Sequence, residues 1–294
     1  MQSNVDKLIA VSVMGHIASP SFPGLPAEPY RLDADGVPFL LPTYGSIVYN
    51  VSVGDSVYGW LADCVHPSVS ISLPQEAANH GLNFLACVGN PAVVMSGMAK
   101  GSQGIVTGKS GRFSEHVIVH FPKATREKMA IGDRILVRSQ GVGLKLESHS
   151  KVTFKSCSPA LLTALESQGL RSLDDGRLSV PVVAVVPSYL VGAGAGLTSE
   201  GGSIHIQTVD KEALQEAGLG DLKLGDLVAL QDYDSRYQHG HMRKAVGIGV
   251  VGQGDSPRAG YGPGVTLLMT ATDGAIVPEI KPAVNLTTLL DIPA

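Results

Sequence analysis

Charge is scarce in this chain. Only 16% of its 294 residues are Asp, Glu, Lys or Arg, and the balance is slightly acidic at −4. No block of basic residues interrupts that pattern, which argues against nucleic acid as the main partner. Cysteine is nearly absent: Cys64, Cys87 and Cys157 stand far apart and form no CxxC pair. That excludes a disulfide framework and a thiolate zinc knuckle. No apolar run approaches the roughly 20 residues that a membrane helix needs. The first twenty residues lack the charged start and apolar stretch of a signal peptide. A soluble, cytoplasmic protein without membrane contact is the expectation. Neither a GxSxG nucleophile elbow nor an HExxH helix is present, so the commonest serine and zinc hydrolase signatures are missing too.

What the chain has instead is glycine (35), proline (18) and a 44% hydrophobic content with a mean hydropathy of +0.18. Many short strands joined by tight turns suit this mixture better than long helices. So apolar a surface is expected to be buried partly against copies of itself, as a homo-oligomer. One turn recurs three times: Val53-Gly54-Asp55, Ile131-Gly132-Asp133 and Leu224-Gly225-Asp226 are each followed, one residue on, by a hydrophobic residue. Glycine supplies positive φ there, and aspartate accepts bonds from nearby amides before a strand begins. The fold class read from this is mainly β (α+β): barrel-like β-rich halves with Gly-Asp turns and a few short helices. Helices are expected at about 158–168, capped by Ser158 and ended by Gly169, and at about 210–217. The expected halves are 1–150 and 151–294.

The stretch 93–121 resembles a KOW or SH3-like barrel segment, with a strand, a Lys-Gly turn, a basic loop at Lys109 and an alternating strand ending EHVIVHF. His116 and His120 are expected to share a face of that strand, partly exposed. Gly247-Ile-Gly249-Val-Val-Gly252 matches the dinucleotide fingerprint, but no helix can follow it in QGDSPRAGYGPG, so the match carries no mechanism.

The richest polar stretch is 232–264. Two glycine-bearing loops flank the strand AVGIGVV, and both are expected at one rim of a sheet, where a site is usually built. His239 and His241 are two residues apart on extended chain and project to one side. With Asp232 and Asp234 they are the candidate ligands of a divalent metal, zinc, manganese or calcium. In a metal-free alternative a histidine acts as general base with Asp255 orienting it. Arg236, Tyr237, Ser256, Tyr261, Gly262 and Gly264 are the candidate substrate contacts. From the N-terminal half, an Asn79-His80-Gly81 turn would aim His80 at the leaving group, and Asn83 would donate to an oxyanion. A lone His66 beside proline reads as a turn residue, and Cys87 as an inert buried thiol.

Four segments together, GHIASPSFPG, CVGNPAVVMSGMAKGSQGIVTGKSG, IGDRILVRSQGVGLKL and GIGVVGQGDSPRAGYGPGVTLLMT, resemble the DUF4438 family over nearly the whole chain. The resemblance implies a β-rich fold with few helices and brings no activity or catalytic residue. Gln253 and Tyr261 stand where histidines are expected in relatives. At the level of fold alone the Gly-Asp barrels are similar to acetamidase and formamidase proteins. The functional expectation is a metal-assisted hydrolase of small-molecule C–N amide bonds. Its alternatives are a non-catalytic protein that captures an anionic metabolite and, with less support, an RNA-associated barrel protein.

Overall fold

The computed structural model describes residues 1–20, 30–111, 115–195, 202–237 and 240–292. In chain order the strands are β1 (Val11–Ile17), β2 (Arg31–Leu32), β3 (Pro38–Phe39), β4 (Val69–Ser72), β5 (Pro91–Val94), β6 (Gln103–Ser110), β7 (His116–His120), β8 (Arg134–Ser139), β9 (Val152–Phe154), β10 (Arg171–Ser172), β11 (Leu178–Val182), β12 (Ala184–Val186), β13 (Val191–Ala195), β14 (Ser203–Ile206), β15 (Leu227–Asp234), β16 (Gly240–Val251), β17 (Gly264–Ala271) and β18 (Ile276–Ile280). Among the described residues five short α-helices join them: α1 (Glu76–Leu85), α2 (Lys123–Arg126), α3 (Pro159–Ser167), α4 (Lys211–Glu216) and α5 (Leu286–Leu289). The protein is mainly β, as its turn-rich composition implies. Among the described residues no helix is long and apolar enough to cross a membrane.

Two large β bodies dominate the described residues, beside a three-stranded sheet in the order β10-β11-β18 and the β2-β3 ribbon. The first is a closed antiparallel barrel in the order β1-β4-β7-β6-β5-β8, with β8 returning to β1. Its interior is aliphatic, built from Ile17, Val69, Ile71, Val94, Val117, Val119, Ile135 and Val137. Helix α1 plugs one end. A Cβ on Gly15 would lie 2.9 Å from the Leu82 side chain, so the glycine is what lets the helix close against β1. The second body is a sheet in the order β12-β15-β16-β17-β14-β13, with β9 on the far part of β17. Its faces carry the two remaining hydrophobic clusters.

Barrel and sheet are locked together. The Thr266 hydroxyl of β17 accepts from the Lys109 amide at 2.8 Å and donates to the Lys109 carbonyl at 3.1 Å. Gly108 and Gly252 meet with no room between them, since a Cβ on Gly108 would be 3.2 Å from the Gly252 Cα. This packing corrects two expectations. His116 and His120 are 4% and 3% exposed rather than surface residues, because β7 is covered on both faces. Lys109 belongs to no basic loop: it lies inside β6, fully buried, with Nζ donating to Ser156 Oγ at 2.9 Å.

All three Gly-Asp turns form in the same way. Gly54, Gly132 and Gly225 have φ of +98°, +88° and +92°. The following aspartates accept from the amide three residues back, at 2.7 Å (Ser52), 2.9 Å (Ala130) and 2.8 Å (Lys223). Two of the turns start strands. The first instead pairs with the third, Gly54 donating to the Leu224 carbonyl and Leu224 to that of Asp55. Helices α3 and α4 begin as expected, with Ser158 accepting from Leu161 and Asp210 from Ala213.

Candidate functional site

Strand β16 decides where the polar residues go. It is paired along its length, His241 opposite Tyr233 at one end and Val251 opposite Val265 at the other. At about 3.3 Å per residue the strand holds its two ends roughly 30 Å apart. The two flanking loops therefore do not share a rim, and among the described candidates Asp232, Asp234 and His241 lie at one end and Asp255 and Ser256 at the other.

At the hairpin end, Asp234 is bound by its neighbour. Arg236 donates from Nε at 3.0 Å and from Nη2 at 2.9 Å, which holds the Asp234 carboxyl below its usual range. Asp232 occupies a bulge with φ +53°, and its carboxylate accepts from the Lys244 amide at 2.7 Å. His241 is exposed on β16, and Tyr237 is 80% exposed beneath the Arg236 guanidinium. His239 lies outside the described residues. No three His, Cys, Asp or Glu side chains are grouped to hold a metal ion among the described residues.

His80 and Asn83 form a third location. Asn79-His80-Gly81 is not a turn but the middle of α1, where Leu82 and Asn83 turn inward and Gly81 is tolerated at about 1 kcal/mol relative to alanine. His80 Nε2 lies 3.1 Å from Glu115 Oε2. The Asn83 amide donates to the Asn79 carbonyl and leaves its own Oδ1 buried without a partner.

The other end of β16 is where buried polar chemistry gathers. The 252–264 loop is pinched at its base, Gly252 donating to the Gly264 carbonyl at 2.8 Å. It then runs against residues 57–65: Gly254 donates to Val65, Asp255 to Val57, and Cys64 to Asp255, each at 2.9 Å. This backbone ladder places Asp255, Ser256, Tyr261, Gly262 and Gly264 beside residues that sequence reasoning passed over. Asp63, 1% exposed, pairs with Arg31 and accepts from Ser256 Oγ at 2.7 Å. Asp255 accepts from Thr208 Oγ1 at 2.7 Å. Cys64 is fully buried with φ +55°, a left-handed backbone that a non-glycine residue rarely adopts. Its Sγ lies 3.9 Å from His205 Nδ1, and that nitrogen donates to the Gly262 carbonyl at 2.7 Å. The His205 ring packs on Tyr261, and the Arg258 guanidinium stacks over Tyr261 at 4.2 Å.

Burial sets the protonation states. It pushes the Cys64 thiol up, and Asp63 adds to this, while Arg258 and the Ser256 bond oppose it. It pulls the His205 imidazole down against the pull of its bond to Gly262. Tyr44, beside Arg31, is held as a neutral phenol mainly by burial. His66 is no surface turn. It is fully buried, with Nδ1 at 2.7 Å from Ser70 Oγ and Nε2 at 3.0 Å from the Gln253 amide, and its pKa is well down because of burial and the neighbouring His116 and His205. A cleft of about 430 Å³ opens outside Ser256, between Asp33, Trp60, Thr208 and Asp255.

Residues 30–163 match the domain of unknown function DUF4438, N-terminal, and residues 169–290 match its C-terminal counterpart. The chain belongs to the DUF4438 family. It is also similar to the crystal structure of TM1086, at 39% identity over 98% of each chain with a TM-score of 0.90. No curated protein matches this DUF4438 chain. The family thus establishes the fold and the chain's relatives, and leaves the chemistry to the residues themselves. The clue the sequence did offer was the short run Asp63-Cys64-Val65-His66, whose importance depends on a loop nearly two hundred residues away.

Proposed function

We propose that this DUF4438 protein binds a small molecule carrying a negative charge, held by Arg258 at the wall formed by the 252–264 loop. The charges of the buried cluster carry this reading. Arg31 is matched by Asp63, and the Asp255 carboxylate is held by the Thr208 hydroxyl and the Ser256 amide, with no ion pair among the described residues. Burial keeps Cys64, Tyr44 and His205 in their uncharged forms. Arg258 remains, half-buried on Tyr261, close enough to bear on Tyr44, Cys64 and His205, and without an ion pair among the described residues. A guanidinium so placed favours a carboxylate or similar planar anion, which it can bind through two parallel hydrogen bonds.

A second reading, hydrolysis of an amide C–N bond in such a molecule, is favoured by the 3.9 Å approach of Cys64 Sγ to His205 Nδ1. In that reaction His205, with its proton moved to Nε2, takes the thiol proton at Nδ1, and the resulting imidazolium keeps its Nδ1–H on the Gly262 carbonyl. The thiolate attacks the carbonyl carbon, the amine leaves with the proton from Nδ1, and water then releases the acid from the thioester. The resting site holds neutral thiol and neutral imidazole, so capture is the primary reading.

The test is a thermal-shift series of small carboxylates and their amide derivatives on wild type and Arg258→Gln, with amine release measured in parallel. A carboxylate-dependent rise in Tm that Arg258→Gln loses supports the anion site. Amine release that Cys64→Ser abolishes supports hydrolysis. The absence of any carboxylate shift in wild type, or an equal shift in the variant, overturns the proposal.

A further inference from the structure

The polar residues of α1 and β7 play no part in the Arg258 site, yet they enclose a cavity of their own. About 510 Å³ opens where β1, β4 and β7 end at the barrel mouth, opposite the Gly132 turn. Asn79 shapes its wall with both amide atoms: Oδ1 accepts from the Leu73 amide at 2.9 Å, and Nδ2 donates to the Glu115 carbonyl at 3.1 Å. Among the described residues Glu115 is the one carboxylate in the lining, and neither lysine nor arginine lines the cavity. Its side chain is only 12% exposed, and its ion-pair partner among the described residues is the 41% exposed His80. His116 forms the inner wall, buried with its ring 5.5 Å from that of His66.

We propose that the barrel mouth is a second binding site, taking a small organic ammonium ion with Glu115 as its counter-charge. Three features select that ligand class. The Glu115 carboxylate at this open mouth is itself mostly buried, so a cation docking there meets a negative charge that solvent only partly screens. The hydroxyl of Ser72 lines the same cavity as a further acceptor for an ammonium group, which has three N–H donors. Leu73 and Pro74 give an alkyl chain an apolar wall. A bare metal ion fits less well, because no three His, Cys, Asp or Glu side chains come together to chelate one among the described residues. Burial raises the Glu115 pKa; His80 opposes this and Glu76 adds to it. Occupation by a cation therefore relieves a carboxylate that the free protein holds at a cost.

Butylammonium, butyrate and butanol, titrated at pH 8 and followed by Tm and calorimetry, test this independently of the Arg258 site. Expected is a saturable stabilisation by butylammonium alone, at least about tenfold weaker in Glu115→Gln and unchanged in Arg258→Gln. In wild type, affinity should fall as pH is lowered from 8 into the carboxylate range, where Glu115 gains a proton. His80 and Glu76 of α1, His16 of β1 and His116 of β7 face the same group, and protons taken up by any of them act in the same direction. If Glu115→Gln fails to fold, Glu115→Asp and the contrast among butylammonium, butyrate and butanol decide the matter. Equal effects of butanol and butylammonium, binding that survives Glu115→Gln, no saturable effect, or affinity that does not change with pH would each overturn the proposal.

Discussion

The two ends of β16 carry nearly the same residues and do opposite things with them. Each has aspartate, glycine, tyrosine and one arginine. At the hairpin end Arg236 is tied to Asp234 two residues away, and Asp232 is spent on the Lys244 amide across the hairpin. Most bonds there are local, the Lys155 ammonium on the Arg236 carbonyl at 2.6 Å being the exception, and much of the surface is wet. At the other end the 252–264 loop is laddered onto residues 57–65, so its serine reaches Asp63 and its arginine is left on a tyrosine face beside a buried thiol and imidazole. Local composition does not distinguish a turn that satisfies itself from a loop that completes a site. Long-range pairing does.

The largest contrast should appear when each end loses its carboxylate. Asp63→Ala removes the buried carboxylate that pairs with Arg31 and accepts from Ser256. A loss of about 3 kcal/mol or more in urea unfolding is expected. Asp234→Asn at the hairpin should leave the urea midpoint near wild type, because solvent screens that pair. Similar midpoints for the two variants would erase the distinction.

Acid should also act on one end only. His66 and His205 have folded pKa values below the unfolded value of about 6.5, so the unfolded chain takes up their protons more readily. Their contribution is complete above that pH and is lost as pH falls through it, by roughly 1.4 kcal/mol per unit for each histidine. Denaturation curves at pH 7.5, 6.5 and 5.5 measure this, and replacement of His66 by Gln should flatten the dependence. At the hairpin the Asp234 carboxyl is depressed by Arg236, so its smaller contribution persists until pH falls into the carboxylate range. A smaller effect still is expected from His241→Ala, whose side chain is exposed and whose loss should leave stability close to wild type.

Legibility followed the same division between local and distant. The Gly-Asp turns, the Ser158 and Asp210 caps and the β-rich class could be read because each is decided within a few residues. Helix α1 was missed because Gly81 and the two asparagines mask a helix that is held by Leu82 packing into the barrel. EHVIVHF alternates like a half-exposed strand, but the sheet covers its outer face and buries both histidines. Asp255, Ser256 and Tyr261 were visible as a cluster. Asp63, Cys64 and His205 were not, since a lone cysteine and two ordinary polar residues acquire meaning only through the ladder between residues 57–65 and 254–255.

The central claim is that Arg258 is available to an anion and Arg236 is not. Isothermal titration of a small dicarboxylate, such as succinate, into wild type, Arg258→Gln and Arg236→Gln tests it most directly. The account predicts saturable binding in wild type, preserved in Arg236→Gln and weakened at least about tenfold in Arg258→Gln, with the loss reproduced in wild type by high salt. Binding that disappears with Arg236 and persists without Arg258 would contradict it, as would no binding in any of the three.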